Sequence, residues 1–338
     1  MFHAVLCSAM GNVSHPVDYV SGVPAVRAFF YCVYGLVFAV GVSGNALVCF
    51  VVARQRAMHT VTNLFIANLA LSDILLCALA VPFTPLHQFV GAWPLGAALC
   101  RLVPYAQGVS VYVSSFTLTA IAVDRFFVIM HPFRGRLRLP VCGALIGLVW
   151  LAGALLTLPY GLFIGLTADG GAFCEERWPS EHSRRAFSLC TSALQFGLPF
   201  AVISFCYMRV CCKLRERARA KPGAKSMQKE QLERRRTRRT NRMLVSMVAI
   251  FGACWLPLNL YNLAIDFSVR AASWQFANAF FFLAHAIAMS STCYNPFLYT
   301  WLNDSFRKEF KAVLPCFASR RAEPPAVRYV CSGDAVKL

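Results

Sequence analysis

Long apolar runs alternate with short polar and mostly basic segments along this chain. Seven runs stand out, near Phe29–Val52, Leu64–Pro82, Leu102–Val123, Pro140–Ile164, Ala186–Met208, Met243–Ile265 and Phe276–Leu302. A helix of roughly 20 apolar residues crosses the hydrocarbon core of a bilayer, and every run is close to that length or longer. Six contain no Asp, Glu, Lys or Arg, and the second contains one, Asp73. The pattern predicts an all-α protein: a seven-transmembrane-helix bundle over 29–302 after an N-terminal arm, 1–28. Directly after the seventh run, Asn303–Phe310 (NDSFRKEF) spaces Phe306 and Phe310 four residues apart around Arg307 and Lys308. That spacing predicts a short amphipathic helix on the membrane surface, 303–316, followed by a tail, 317–338.

Composition agrees. Hydrophobic residues make up 58% of the chain and charged residues 14%, yet the net charge is +18. Nucleic-acid binding, the other reading of a basic chain, does not fit, because the basic residues fall between apolar runs rather than on one soluble domain. Their distribution sets orientation instead. Segments on one side carry 27 Lys and Arg and those on the other carry six. Cytoplasmic loops are enriched in Lys and Arg, so the C-terminus is expected inside and the N-terminus outside. Asn12-Val13-Ser14 on the outer arm is a glycosylation sequon. The first residues lack a basic n-region, so no cleavable signal is expected and the first helix would direct insertion.

Of the 15 cysteines, most lie in apolar runs and read as small buried hydrophobes. Cys100 and Cys174 lie in outer segments, where oxidising conditions favour a disulfide between them. Cys316 sits in a basic amphipathic stretch, a palmitoylation context. No Cys/His cluster has metal-ligand spacing.

Several polar or helix-breaking residues interrupt the runs. Asp73 is a carboxylate at mid-membrane, costly to keep there and therefore expected to be functional. Asn45, Ser114, Ser291 and Asn295 could converge on it to form a polar centre able to hold a sodium ion. No other cofactor and no other metal is expected. Asp124-Arg125-Phe126 closes the third run at its inner edge as an acid–base pair that can lock internally or release Arg125 to a partner. Proline removes a backbone hydrogen bond and kinks a helix. Cys254-Trp255-Leu256-Pro257 thus predicts a pivot in span six, with Phe251 grouped beside it. Asn295–Tyr299 (NPFLY), containing Pro296, predicts a hinge in span seven. Pro199 breaks span five above Tyr207. The basic stretch Arg234–Arg239 meets anionic lipid and offers a docking surface for a cytoplasmic protein.

In this order and spacing the motifs resemble the rhodopsin-like G-protein-coupled receptors: Gly44-Asn45, Leu69–Asp73, Cys100, Asp124–Phe126, Trp150, Cys174, Pro199, Trp255–Pro257 and Asn295–Tyr299. The resemblance covers nearly all of 29–316. Phe126 stands where a Tyr is usual. Ser114–Arg125, Trp255–Asn262 and Met289–Asn295 are similar to the neuropeptide Y and RF-amide peptide receptor group. Within it, Cys174–Glu176 and Tyr294–Phe306 are most similar to prolactin-releasing peptide receptors.

No lysine precedes Lys213 and none lies in a span, which excludes a retinal Schiff base. Eighteen residues before Arg125 stands Gln107, where receptors for amines carry an Asp. Glu175, Glu176, Glu181 and Asp266 are acids near the outer face, suited to a cationic group such as arginine. The resemblance implies that Asp266 takes the arginine of an Arg-Phe-amide peptide. It implies that Gln107, Thr84, Gln195 and His285 line the amide floor, with Asn262, Trp93 and Glu181 nearby. It also implies a heterotrimeric G protein of the Gi/o or Gq class and arrestin as partners. Asp124, Arg125, Tyr207, Phe251, Trp255, Pro257, Asn295, Pro296 and Tyr299 would carry the signal to them. The expected function is a plasma-membrane receptor for a secreted amidated neuropeptide. The alternatives are a receptor of the same fold for a lipid or other small molecule, and a transporter or channel. The latter needs internal repeats and several buried charges, which this sequence lacks. No nucleophile–base set or phosphate loop supports an enzyme.

Overall fold

The computed structural model describes residues 23–90, 92–131, 137–167, 173–219, 227–272 and 274–313. Asn12, Cys316 and the 317–338 tail lie outside the described residues. Each apolar run lies largely within a helix: α1 (Pro24–Arg54), α2 (Val61–Leu79), α3 (Gly96–Met130), α4 (Leu139–Leu162) and α6 (Met227–Phe267). Between α4 and α6, α5 runs as Glu181–Ser192, a π-helical Ala193–Gly197 and Leu198–Arg219. Two more helices follow, α7 (Ala277–Leu302) and α8 (Asp304–Val313). Six of these spans are long and apolar enough to cross a membrane. The seventh, α7, is of similar length but carries His285, Ser290, Ser291, Thr292 and Asn295.

Local signals set the helix ends. Pro24 opens α1 at its first turn, where a missing N–H removes no helical hydrogen bond. Thr60 caps α2 by accepting from the Asn63 N–H at 3.3 Å, and Ser180 caps α5 by accepting from the Ser183 N–H at 3.1 Å. The loop after α4 adds a feature that apolar periodicity does not reveal, an antiparallel hairpin of β1 (Ile164–Thr167) and β2 (Phe173–Glu176). A disulfide joins Cys174 of β2 to Cys100 of α3, as the sequence predicts, and marks one end of the bundle. The opposite end carries α8.

Helix α3 is the central strut, packing against α2, α4 and α5, while α7 packs against α6 and α1. Trp150 of α4 donates its indole N–H to Asn68 Oδ1 at 2.8 Å, and Asn68 donates to Thr117 of α3 at 2.8 Å. One amide thereby ties three helices. The core has two main apolar zones. One surrounds Tyr34, Trp255 and Phe281 toward the disulfide end. The other surrounds Ile121, Met243 and Tyr299 toward the α8 end. Large apolar side chains such as Leu148, Leu155 and Phe297 remain exposed on the outside of the bundle, the reverse of a water-soluble fold and suited to lipid. Phe306 and Phe310 depart from the expectation of a surface helix. Both are buried, and Phe306 stacks on Tyr299 with ring centroids 5.3 Å apart. The two Phe side chains of α8 thus pack on the bundle, where α8 meets α7 and α1.

The prolines show how irregular helices are stabilised. Pro296 cannot donate to the carbonyl four residues back, that of Thr292, and Asn45 of α1 donates there instead at 2.9 Å. A Cβ on Gly44 would lie 2.9 Å from the Pro296 ring, so glycine is what lets α1 approach the break. Pro199 leaves the Gln195 carbonyl without its helical donor, and Ser115 of α3 supplies one at 2.7 Å. Inside a membrane a freed carbonyl must find such a partner, because water is not there to provide one.

Candidate functional site

Near the disulfide end, α3, α4, α5 and α6 enclose a cavity of about 60 Å³ whose walls include Gln107, Gln195, Trp255 and Asn262. Three of the predicted ligand residues thus face one space. Gln107 is buried and its Oε1 accepts no hydrogen bond among the described residues. Gln195 donates to the Gly108 carbonyl at 3.3 Å. A buried amide acceptor without a donor is costly and presents a ready site for an N–H donor.

Asp266 lies one helical turn beyond Asn262 on α6 and is 4% exposed. Two groups of α5 bind it: the Arg184 guanidinium pairs with Oδ1, and the Ser188 hydroxyl donates to Oδ2. Arg184 also binds Glu181 at 3.0 Å. The predicted cation site therefore already holds a guanidinium belonging to the chain itself. Apolar length alone begins span five at Ala186 and leaves Arg184 in a loop. Ser180 followed by Glu181, a cap residue and then an acid in the first turn, is the signal that extends the helix upstream. Arg184 and Ser188 then fall four apart on one face.

The other predicted ligand residues stand away from this cavity. Thr84 is buried and donates to the Ala80 carbonyl of its own helical turn at 3.1 Å. His285 is buried among aromatic rings, and its Nδ1 bonds the Tyr34 hydroxyl at 2.8 Å. Its Nε2 has no partner among the described residues. Trp93 packs beside the disulfide and donates to the Gly96 carbonyl at 2.9 Å. Glu181 is exposed and bound to Arg184. In the hairpin, Glu175 accepts from Thr167 at 3.3 Å and Glu176 from the Trp178 indole at 2.8 Å. Burial raises the Glu176 pKa above the usual carboxylate range, and the indole hydrogen bond opposes that shift.

Beneath the cavity, Trp255 donates to Ser291 of α7 at 3.2 Å and packs against Phe251. Pro257 lies inside α6, and Asn259 donates to the Trp255 carbonyl beside it at 2.9 Å. Further down, Asn295 donates to Asp73 Oδ2 at 2.8 Å. Ser114 bonds Ser72 at 2.9 Å. The Asn45 amide donates both to Gly41 and to Thr292 while its Oδ1 is left unpartnered. Of the residues predicted to meet Asp73, Asn295 bonds it, while Ser114 bonds Ser72 and Ser291 bonds Trp255; Asp73 itself is buried at 4% exposure.

At the α8 end, Arg125 is folded onto Asp124, its Nε 3.0 Å from Oδ2. Arg125 lines a cavity of about 510 Å³ together with Thr237, Thr240 and Asn241 of α6. The Tyr207 and Tyr299 hydroxyls are buried with no partner among the described residues. Arg239 of α6 reaches across to α7 and α8, binding Asp304 at 2.5 Å and the Trp301 carbonyl at 2.7 Å. This link joins groups 62 and 65 residues apart in sequence, and nothing in the local pattern signals it.

The chain matches the model of the seven-transmembrane receptor family (rhodopsin family) over residues 44–299. It is 38% identical over 300 residues to the neuropeptide Y receptor type 2 of Mus musculus, covering 86% of this chain and 77% of that protein. The type 2 receptor of Homo sapiens is 37% identical with the same coverage. The neuropeptide F receptor of Drosophila melanogaster is 37% identical over 298 residues, covering 83% of this chain and 61% of that protein. A bundle of seven long helices with a disulfide-anchored hairpin, a buried Asp73 and a paired Asp124-Arg125 agrees with those matches, and the chain belongs to the rhodopsin family of seven-transmembrane receptors.

Proposed function

We propose that this receptor, a multi-pass protein of the plasma membrane, responds to a secreted amidated neuropeptide and activates a heterotrimeric G protein. Relatives named for neuropeptide Y and neuropeptide F support a peptide ligand. The observation that carries the reading is the pairing of Asp266 with Arg184. A buried carboxylate that holds a guanidinium from its own chain has the chemistry to hold one from a peptide. Gln107 adds the second half. Its unpartnered Oε1 suits the N–H₂ of a C-terminal amide, whereas a free carboxylate has no hydrogen to give it. An Arg-Phe-amide end, prolactin-releasing-peptide-like or neuropeptide-Y-like, carries both groups. The disulfide end then faces outward with the N-terminus, and the α8 end faces the cytoplasm.

Drug-sized ligand sites span roughly 300–1,000 Å³, so the 60 Å³ cavity must widen to admit a peptide end. Widening separates α5 from α6 and removes Arg184 from Asp266. The incoming arginine replaces it, so the buried carboxylate is not left unpaired. Displacement at the outer end of α6 passes through Trp255 and the Pro257 kink. The inner half of α6 then swings away from α7, Arg239 releases Asp304, and Arg125 leaves Asp124 for the G protein. The ligand must favour that state over the closed one, because equal affinity shifts nothing. A G protein of the Gi/o or Gq class and arrestin fit the basic inner surface. Catalysis of GTP hydrolysis belongs to the partner.

Asp73, Ser114, Ser291 and the Asn45 Oδ1, which has no partner among the described residues, would together supply oxygen donors. That set fits a hard cation such as sodium, which would stabilise the closed bundle.

The decisive experiment measures peptide-stimulated G-protein activation for Asp266→Ala, for Arg184→Ala and for the pair together. A potency loss in Asp266→Ala that the double variant does not restore supports the peptide ion pair. An unchanged response to an Arg-Phe-amide peptide in Asp266→Ala rejects it.

A further inference from the structure

A cavity larger than either of those described above lies outside the peptide site and adjoins the Arg125 cleft, with Asp124, Val128 and Leu137 in the lining of both. It is a groove of about 850 Å³ along the outside of α3 and α4, toward the α8 end. Its walls are apolar, with Phe116 and Ala120 of α3 and Leu145 and Ala152 of α4 among them. Phe127 and Leu148 on its rim are 45% and 59% exposed, so it opens onto the lipid-facing surface. At its α8 end the apolar lining stops at His131, which ends α3, and Arg138, which caps the start of α4. Both side chains are exposed. The first turn of α4 adds the positive end of its helix dipole. Asp124, the acid in the wall, is neutralised by Arg125.

We propose that this groove binds one anionic phospholipid of the inner leaflet, its acyl chain along α3 and α4 and its phosphate against Arg138 and His131. The shape supports this occupant over a soluble one. The slot is long, apolar and open to the bilayer, and its cationic end lies at the depth where inner-leaflet phosphates sit under the proposed orientation. Anionic headgroups concentrate in that leaflet and attract such cations. Bound lipid would share the Asp124 wall with the Arg125 pair, which places it beside the switch without occupying the G-protein cleft. The inference depends on membrane placement and not on the identity of the peptide, so it can fail while the peptide reading stands.

The test uses the full chain in nanodiscs of phosphatidylcholine doped with phosphatidylglycerol, with co-purified lipid read by native mass spectrometry. The wild type should retain phosphatidylglycerol over phosphatidylcholine by about fivefold, the preference one guanidinium near a membrane surface supplies. Arg138→Glu should abolish the preference. Ala152→Phe, which fills the slot, should lower retention of both lipids while leaving the melting temperature in pure phosphatidylcholine unchanged. Equal retention of the two lipids by the wild type overturns the proposal. So does a preference that survives both substitutions, which would place the lipid on another basic surface such as the start of α6. Displacement by a sterol at equal mole fraction also overturns it and makes the groove a sterol site.

Discussion

Helix α6 is pinned by an ion pair at each end, and the two pairs are built differently. At the disulfide end Asp266 and Arg184 have side chains 4% and 11% exposed. At the α8 end Arg239 and Asp304 are 30% and 56% exposed. Breaking a buried pair by removing one partner costs about 3–5 kcal/mol, because the remaining charge stays out of water. An exposed pair contributes about 0.2–1 kcal/mol and is screened by salt. The helix is thus clamped where the ligand is proposed to bind and only lightly held where the G protein would enter. Pro257 lies between the two. A lever built this way moves at its light end unless something exchanges the heavy one, and a peptide arginine is the group able to make that exchange without leaving Asp266 bare.

The comparison can be broken at several points, and the heaviest is Asp266. Asp266→Ala should shift peptide dose–response curves by about 100-fold or more, in line with the 2–5 kcal/mol lost when a buried charge pair is truncated. A shift below tenfold would mean that the clamp is structural and not part of the ligand site. Next comes Arg184→Ala. It leaves Asp266 buried with Ser188 alone, so the ligand-free receptor should melt several degrees lower. Added peptide should then raise its melting temperature by more than it raises that of the wild type, since the peptide arginine fills the gap. Equal ligand-induced shifts would argue against exchange.

The middle of the lever is tested through Asp73. If sodium occupies that centre at about five times its dissociation constant, it stabilises the closed bundle by about 1 kcal/mol. Replacing potassium with sodium should raise the melting temperature of the wild type and leave Asp73→Asn unmoved. The smallest effect belongs to the exposed pair. Arg239→Ala should raise basal G-protein nucleotide exchange by no more than about fivefold, the equivalent of 1 kcal/mol. The difference from wild type should shrink at high salt. A larger, salt-insensitive rise would show that the α8-end contact is as strong as the buried one.

Much of this was legible along the chain. Apolar length located all seven spans, and the prolines at 199 and 296 marked carbonyls that a side chain of another helix meets. The cysteine pair was readable from its placement in outer segments. Of the residues grouped as a ligand site, the structure brings Gln107, Gln195 and Asn262 to one cavity. Thr84, His285 and Trp93 are not in its lining, because a polar side chain in a span can serve its own helix or a neighbour as readily as a ligand. Each of these three has its donor or ring nitrogen engaged elsewhere. Arg184 escaped notice because the span was bounded by hydropathy, whereas the helix was bounded by the Ser180 cap.

What the amino-acid order alone determined was the number of membrane-length helices, their breaks and the excess of basic charge on one side. These depend on local composition, and a bilayer enforces them helix by helix. Only the tertiary structure decided which groups answer one another across the bundle. The carbonyls freed by Pro296 and Pro199 could have been met by many donors, and the fold chose Asn45 and Ser115. Asp266 could have faced an open pocket, and the fold closed it with Arg184. A buried polar group in an apolar surround must be paired wherever the chain can reach it, and which partner comes within reach is a property of helix packing rather than of sequence spacing.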